Sequence, residues 1–149
     1  MNELVLATPM GASVGLLFSA VSAIKPDRVI VLTSQKFIDK AKEACEKGGF
    51  KNYSKLHIVI IEDAFCGFNE AKRIVKEMSS FCEEAKEIKL NLTGGTTAMQ
   101  WAMQALYENI KDKYSVNRVA FVDRRPSVEQ QTNPYVIGEL LNVDELIKD

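Results

Sequence analysis

Histidine is almost missing from this 149-residue chain, and His57 is the only one. It falls early in an apolar strand, away from the strand end where catalytic partners would gather, and so reads as structural or surface. Cysteine is scarce too: Cys45, Cys66 and Cys82 make an odd count without metal-ligand spacing. No secretory signal precedes them, so a reduced, cytoplasmic setting is expected and a disulfide framework is excluded. Neither sign of charge is in excess, with 19 Lys and Arg against 20 Asp and Glu and a net charge of -1. A general polyanion binder needs a basic surplus, so DNA binding by this chain is not expected, although a local cluster around one ligand remains open. Apolar runs stay short of the ~20 residues that cross a bilayer. No membrane contact is expected, and the N-terminus enters a strand with no visible targeting peptide.

What is present is a chain with 46% apolar residues, enough for an ordinary core, and one domain over residues 1–149 is the natural expectation. It is organised around Ile88-Lys-Leu-Asn-Leu-Thr-Gly-Gly-Thr-Thr-Ala-Met99. Ile88 to Leu92 reads as a strand. Gly94 and Gly95 remove two side chains where the backbone turns or lets a ligand approach. Thr96 or Thr97 caps a helix from Ala98 to about Ile110. A strand, glycine turn and helix start leave backbone N–H groups and the positive end of a helix dipole facing outward, which favours a phosphate. A plain strand-to-helix turn has the same spacing.

The rest of the chain repeats this alternation. Glu3 to Thr8 is an apolar strand, broken by Pro9-Met10-Gly11, and a helix of small and apolar residues runs from Ala12 to Ile24. Ser13 is placed either to cap that helix or to meet a ligand. Arg28 to Leu32 is a strand ending at Thr33-Ser34, and Gln35 to Lys47 is an amphipathic helix. Lys55 to Ile61 is a third strand; Glu62-Asp63 follows as a solvated helix start or a pair of metal-binding acids. A long helix is expected from about Asn69 to Ala85, and Val116 to Val122 is a fifth strand. Arg124 and Arg125 then read as a phosphate clamp or a surface pair on Asp123. Ser127 to Asn133 reads as a polar loop, Tyr135 to Leu141 as a sixth strand and Val143 to Lys148 as the start of a final helix or a linker. The loop before the sixth strand is too short for a crossover helix, so that strand should pair antiparallel.

Strand and helix alternating in this way specify an α/β fold. The expected form is a three-layer α/β/α sandwich with a mainly parallel, Rossmann-like sheet and an antiparallel sixth strand. Ligands of such sheets sit past the carboxyl ends of the strands. The polar and glycine-rich segments fall there: Thr8 to Ser13, Thr33-Ser34, Glu62 to Asn69, Thr93 to Thr97 and Asp123 to Arg125.

Three segments in this order resemble a known family. They are Ala7-Thr-Pro-Met-Gly-Ala-Ser13, Asn91-Leu-Thr-Gly-Gly-Thr-Thr97 and Val122-Asp-Arg-Arg125. The chain is similar along nearly its whole length to a CARF domain, the CRISPR-associated Rossmann fold that serves as sensor in type III CRISPR systems. The resemblance implies a homodimer that binds a cyclic oligoadenylate, cyclic tetra-adenylate before cyclic hexa-adenylate, and regulates an effector domain absent from this chain. It implies no cofactor and no metal. Carried onto this sequence, Thr8, Pro9, Met10, Gly11, Ala12 and Ser13 would line one side of each half-site. Thr93, Gly94, Gly95, Thr96 and Thr97 would hold phosphate and ribose, Thr33, Ser34, Phe65 and Asn69 would form an adenine pocket, and Arg124 would approach a phosphate. Many relatives carry Lys or Arg directly after the Gly-Gly-Thr, where this chain has Thr97. An alternative is a stand-alone, metal-independent ring nuclease that opens the ligand, with Ser13, Thr96 or Thr97 stabilising charge. The missing cation counts against cleavage more than against binding. A third alternative is a sugar-phosphate or nucleotide enzyme using the same glycine turn, although no acid–base pair is evident for it.

Overall fold

The computed structural model describes residues 2–147. Its sheet has the strands β1 (Glu3–Pro9), β2 (Arg28–Thr33), β3 (Leu56–Ile60), β4 (Ala85–Asn91), β5 (Ser115–Val122) and β6 (Glu139–Asn142). They lie in the order β3-β2-β1-β4-β5-β6. The first five run parallel and β6 pairs antiparallel to β5, with Phe121 opposite Leu140. The helices are α1 (Val14–Ile24), α2 (Ile38–Lys47), α3 (Ala71–Ser80), α4 (Thr97–Ile110), α5 (Ser127–Thr132) and α6 (Val143–Leu146).

Side chains alternate across the sheet and divide the core in two. Leu6, Val29, Val31 and Phe121 pack with Leu17 and Val21 of α1 and Ala44 and Cys45 of α2. On the other face Val5, Ala7, Ile30, Ile88 and Leu90 meet Ile74 and Met78 of α3 and Met99 and Leu106 of α4. Both faces of β1 are therefore covered, which is why Glu3 to Thr8 reads as a nearly unbroken apolar run. The sheet is the expected parallel α/β/α sandwich with its antiparallel edge.

Several elements differ from the sequence expectation. The small residues Ala12 and Ser13 precede α1 and do not belong to it. The helix expected to reach Ala85 stops at Ser80, and β4 begins at Ala85, ahead of the expected Ile88. Pairing decides this: Glu3 of β1 lies opposite Ala85, and a tertiary partner outweighs the helix preference of Glu83 to Lys86. The polar segment 127–132, expected as a loop, is α5. It buries no residue, so it carries no apolar periodicity to announce a helix. Finally, β6 begins at Glu139, because residues 135–138 cross over α1 first. There the Ser19 hydroxyl accepts the Gly138 N–H at 2.9 Å and donates to the Val136 carbonyl at 3.3 Å. Lys148, the end of the segment expected as a final helix or linker, lies outside the described residues.

The N-terminal edge of the sheet holds a charged cluster. Arg28 Nε donates to Glu3 Oε1 at 2.8 Å and Lys55 Nζ to Glu3 Oε2 at 2.5 Å. Arg28 Nη1 sits 2.6 Å from His57 Nε2. A guanidinium only donates, so Nε2 accepts and the imidazole is neutral with its proton on Nδ1. The ring stacks on Phe81, centroids 3.9 Å apart. Burial, then the Arg28 charge, hold the His57 pKa below its usual 6.5. Hydrogen bonding from Arg28, with Lys55 behind it, holds the Glu3 carboxyl at about 2, against a usual 4.5.

Both shifts make the unfolded chain bind protons more readily than the folded one, so stability must fall with acid. The His57 contribution is lost as pH drops below 6.5, and the Glu3 contribution as pH drops from 4.5 toward about 2. Urea midpoints measured against pH should decline in both windows. His57→Gln should flatten the upper one and leave the lower one in place.

Candidate functional site

The connection from β3 to β4 carries the chain across β1, so strand order reverses between the two central strands. In open α/β sheets that reversal opens the ligand crevice. Here it brings together the turn after β1 and the turn after β4, the two segments with the most glycine character. A Cβ on Gly11 would lie 3.3 Å from Gly95 Cα, and one on Gly95 would lie 3.0 Å from Pro9 Cβ. The turns thus touch backbone to backbone. Gly94 and Gly95 also have φ of +95° and +78°, a region that strains any other residue. Gln100, one helical turn on, donates from Nε2 to the Leu92 carbonyl at 2.8 Å and to that of Gly94 at 2.5 Å.

Thr96 is the N-cap of α4, its hydroxyl accepting the Met99 N–H at 3.3 Å. The same hydroxyl donates to the Ala64 carbonyl, which fastens the segment after β3 beside the turn. Thr97 is the first residue of α4 and is exposed. The N–H groups of Thr97 and Ala98 have no acceptor within the helix, as at every helix start. Ser13 occupies the N-cap of α1, is exposed, and makes no side-chain cap hydrogen bond. With Gly11 and Ala12 it forms the accessible part of the first turn.

Other expected contacts turn out to be supports. Thr8 and Thr33 have no exposed surface and Met10 is 1% exposed; Pro9 is buried as well. In this conformation their side chains are enclosed by the protein. Thr33 Oγ1 donates to the Met10 carbonyl at 2.6 Å, and Thr8 Oγ1 donates to that of Pro9 at 3.0 Å. Asn91 was not singled out from the sequence, yet it joins the two turns. Its amide nitrogen donates to Thr8 Oγ1 at 2.9 Å, and its Oδ1 accepts the Thr93 N–H at 3.0 Å. An asparagine closing an apolar strand just before the glycine turn is the signal the sequence offers. Thr93 in turn accepts the Phe121 N–H at 2.9 Å through its hydroxyl.

The remaining candidates lie further out. Phe65 is 78% exposed and Asn69 is exposed, both on the segment that Thr96 holds. The Ser34 hydroxyl is buried with no hydrogen-bond partner among the described residues. Arg124 pairs with Glu139, Nε to Oε2 at 3.2 Å, and its side chain is 77% exposed. Arg125 is the one bound to Asp123. Glu62 and Asp63 are in a turn where the Glu70 carboxylate accepts both their N–H groups and Asp63 accepts those of Phe65 and Cys66. Among the described residues, no group of three His, Cys, Asp or Glu is placed to hold a metal ion, and no helix is long and apolar enough to cross a membrane. One feature had no sequence signal. A cavity of about 550 Å³ opens beside Ser13, walled by α2 and by the segment from Ser127 to Tyr135.

The joint between the turns is open to direct measurement. Asn91→Leu strands the Thr93 N–H and removes the donor to Thr8, which should cost about 1–3 kcal/mol. Thr8→Val in that background should cost less than in the wild type. Urea unfolding of the four proteins of this cycle reads the coupling.

No protein-family model and no curated protein sequence matches the chain. Solved structures do match. Enterococcus italicus Csm6 bound to cyclic hexa-2'-fluoro-hexa-dAMP aligns with a TM-score of 0.63 at 17% identity, over 99% of this chain and 40% of that one. The chain thus spans less than half the length of that protein. With its six strands in this order, five of them parallel, and this alignment over nearly every residue, the chain has a CARF-like, Rossmann-type fold.

Proposed function

We propose that this chain binds a cyclic oligoadenylate at the paired glycine turns, as the sensor of a type III CRISPR response that regulates an effector. The observation that carries the reading is the contact between the Gly11 and Gly95 backbones at the strand-order reversal. It makes one continuous surface from two turns, with the helix-start N–H groups of α4 beside it. That surface suits a phosphodiester held by amide donors and a helix dipole without a cation. A ring of identical nucleotides has rotational symmetry, so two copies of the chain related by a two-fold axis would offer each half the same contacts. Cyclic tetra-adenylate is the proposed ligand. The ring in the Csm6 structure has six nucleotides, so cyclic hexa-adenylate is the necessary comparison.

A second reading has one observation in its favour: the Ser13 hydroxyl is exposed and is not occupied as a cap. In a ring nuclease it would hydrogen-bond a non-bridging phosphate oxygen. The ribose 2'-oxygen would attack the adjacent phosphorus in line, and the P–O5' bond would break. The proton would pass from the 2'-hydroxyl to the departing 5'-oxygen, leaving a 2',3'-cyclic phosphate and a 5'-hydroxyl. Positioning would supply most of the rate. Thr97 offers no cation to the developing charge, and His57 is engaged with Arg28 at the opposite edge of the sheet. Sensing is therefore preferred.

Calorimetric titration with both rings tests binding, sedimentation with and without ligand tests dimerisation, and chromatography of the recovered ligand tests cleavage. Tight binding to a dimer with intact ligand is the expected result. Linear products with cyclic phosphate ends would establish the nuclease, and no affinity for either ring would refute both readings. Gly94 is a poor probe, since its backbone conformation strains every substitution. Thr97→Asp is better: an acid at a helix start complements the dipole, so the melting temperature should hold or rise. The same charge beside a phosphate should weaken binding by about tenfold or more. Unchanged affinity would remove the glycine turn from the site.

A further inference from the structure

We infer that the cavity beside Ser13 is the adenine subsite of the ring ligand, with the Gln131 amide reading the base. The inference rests on the ring-binding reading above and replaces the adenine pocket expected around Thr33, Ser34, Phe65 and Asn69. Thr33 has no surface to offer. The cavity instead adjoins the first turn directly, because Ala12 and Ser13 belong both to that turn and to its wall. A nucleotide whose phosphate rests on the turns has its base within reach of this opening.

Four features select a nucleobase. Its volume, about 550 Å³, lies in the range of small-molecule sites. The charged residues at its margin are Lys40 and Glu43, which cancel, so the cavity favours a neutral occupant over a phosphate. One wall is aromatic and held in place. Tyr135 meets Phe18 edge-on with centroids 5.3 Å apart, and Lys47 Nζ lies 5.9 Å from its ring centre. The main chain behind that wall is equally tight, since a Cβ on Gly15 would lie 2.6 Å from the Pro134 carbonyl oxygen. Finally, the amides on α5 divide their tasks. Gln130 Nε2 is committed to the carbonyls of Asp123 at 3.2 Å and Arg125 at 2.8 Å, which holds the helix down. Gln131 lines the cavity with an exposed side chain. A glutamine amide presents a donor beside an acceptor, the complement of the adenine amino group and ring nitrogen; guanine presents two acceptors on the corresponding edge.

The test uses the whole chain and cyclic tetra-adenylate carrying 8-azidoadenine, with irradiation, proteolysis and mass mapping, and unmodified ring as competitor. A competable adduct within residues 127–135 or on Lys40 is expected. Ring binding by calorimetry with competable adducts only within 33–37 or 64–69, or with none at all, overturns the subsite and leaves the ring-binding proposal standing. Absence of ring binding overturns both. Gln131→Ala removes an exposed side chain and should leave the melting temperature unchanged. It should weaken cyclic tetra-adenylate binding by about tenfold and reduce discrimination against the guanylate ring. Wild-type affinity and wild-type discrimination in that variant would overturn the role of Gln131.

Discussion

The site depends on one buried hydrogen bond. Asn91 and Thr8 sit on the two central strands, fully enclosed, and their side chains join at 2.9 Å across 83 residues of sequence. An unpaired amide there would be costly, so register between β1 and β4 is fixed where it matters. With that register set, the two turns leave the sheet at the same level. Their glycines meet because nothing larger fits between them. Specific placement of a polar pair in an apolar strand end is thus what converts two ordinary turns into one surface.

That surface is electrically unusual only in its neutrality. The chain has almost balanced charge, and three arginines near the strand ends are held in ion pairs. Arg125 holds Asp123, Arg73 holds Glu70 and Glu77, and Arg124 is drawn to Glu139 at the sheet edge. What faces the cleft is a helix start, two hydroxyls and main-chain amides. Such donors are fixed by the fold and need no reorganisation when a phosphate arrives. In the proposed reading they would hold a phosphate through amide and hydroxyl donors with no cation beside them.

Much of this was legible from residues alone. The apolar runs of β1 and β2, the glycines at 94 and 95 and the cap at Thr96 each have a local physical cause, and each is found in place. The parallel sheet follows from the same alternation and the antiparallel β6 from its short link, while the strand order comes from the structure. What escaped has a common explanation: it depended on contacts distant in sequence. The start of β4 is set by Glu3, α5 shows no buried face, and the beginning of β6 is delayed by Ser19. Thr8, Met10 and Thr33 read as ligand contacts because they fall at strand ends, but burial is a property of the assembled layers. The cavity wall was invisible for the same reason, being built from a segment whose polarity marks it as loop.

Ser19 has a consequence beyond its own two hydrogen bonds. Through it, residues leading into the outermost strand are hooked onto a helix that starts at the centre of the sheet. Gly15 and Gly138 have no side chains, and the main chain closes around the hook at both points. The margin of the sheet and the helix beginning beside the first turn are therefore joined directly, side chain to main chain. That joint runs through polar and main-chain contacts and does not pass through the apolar core.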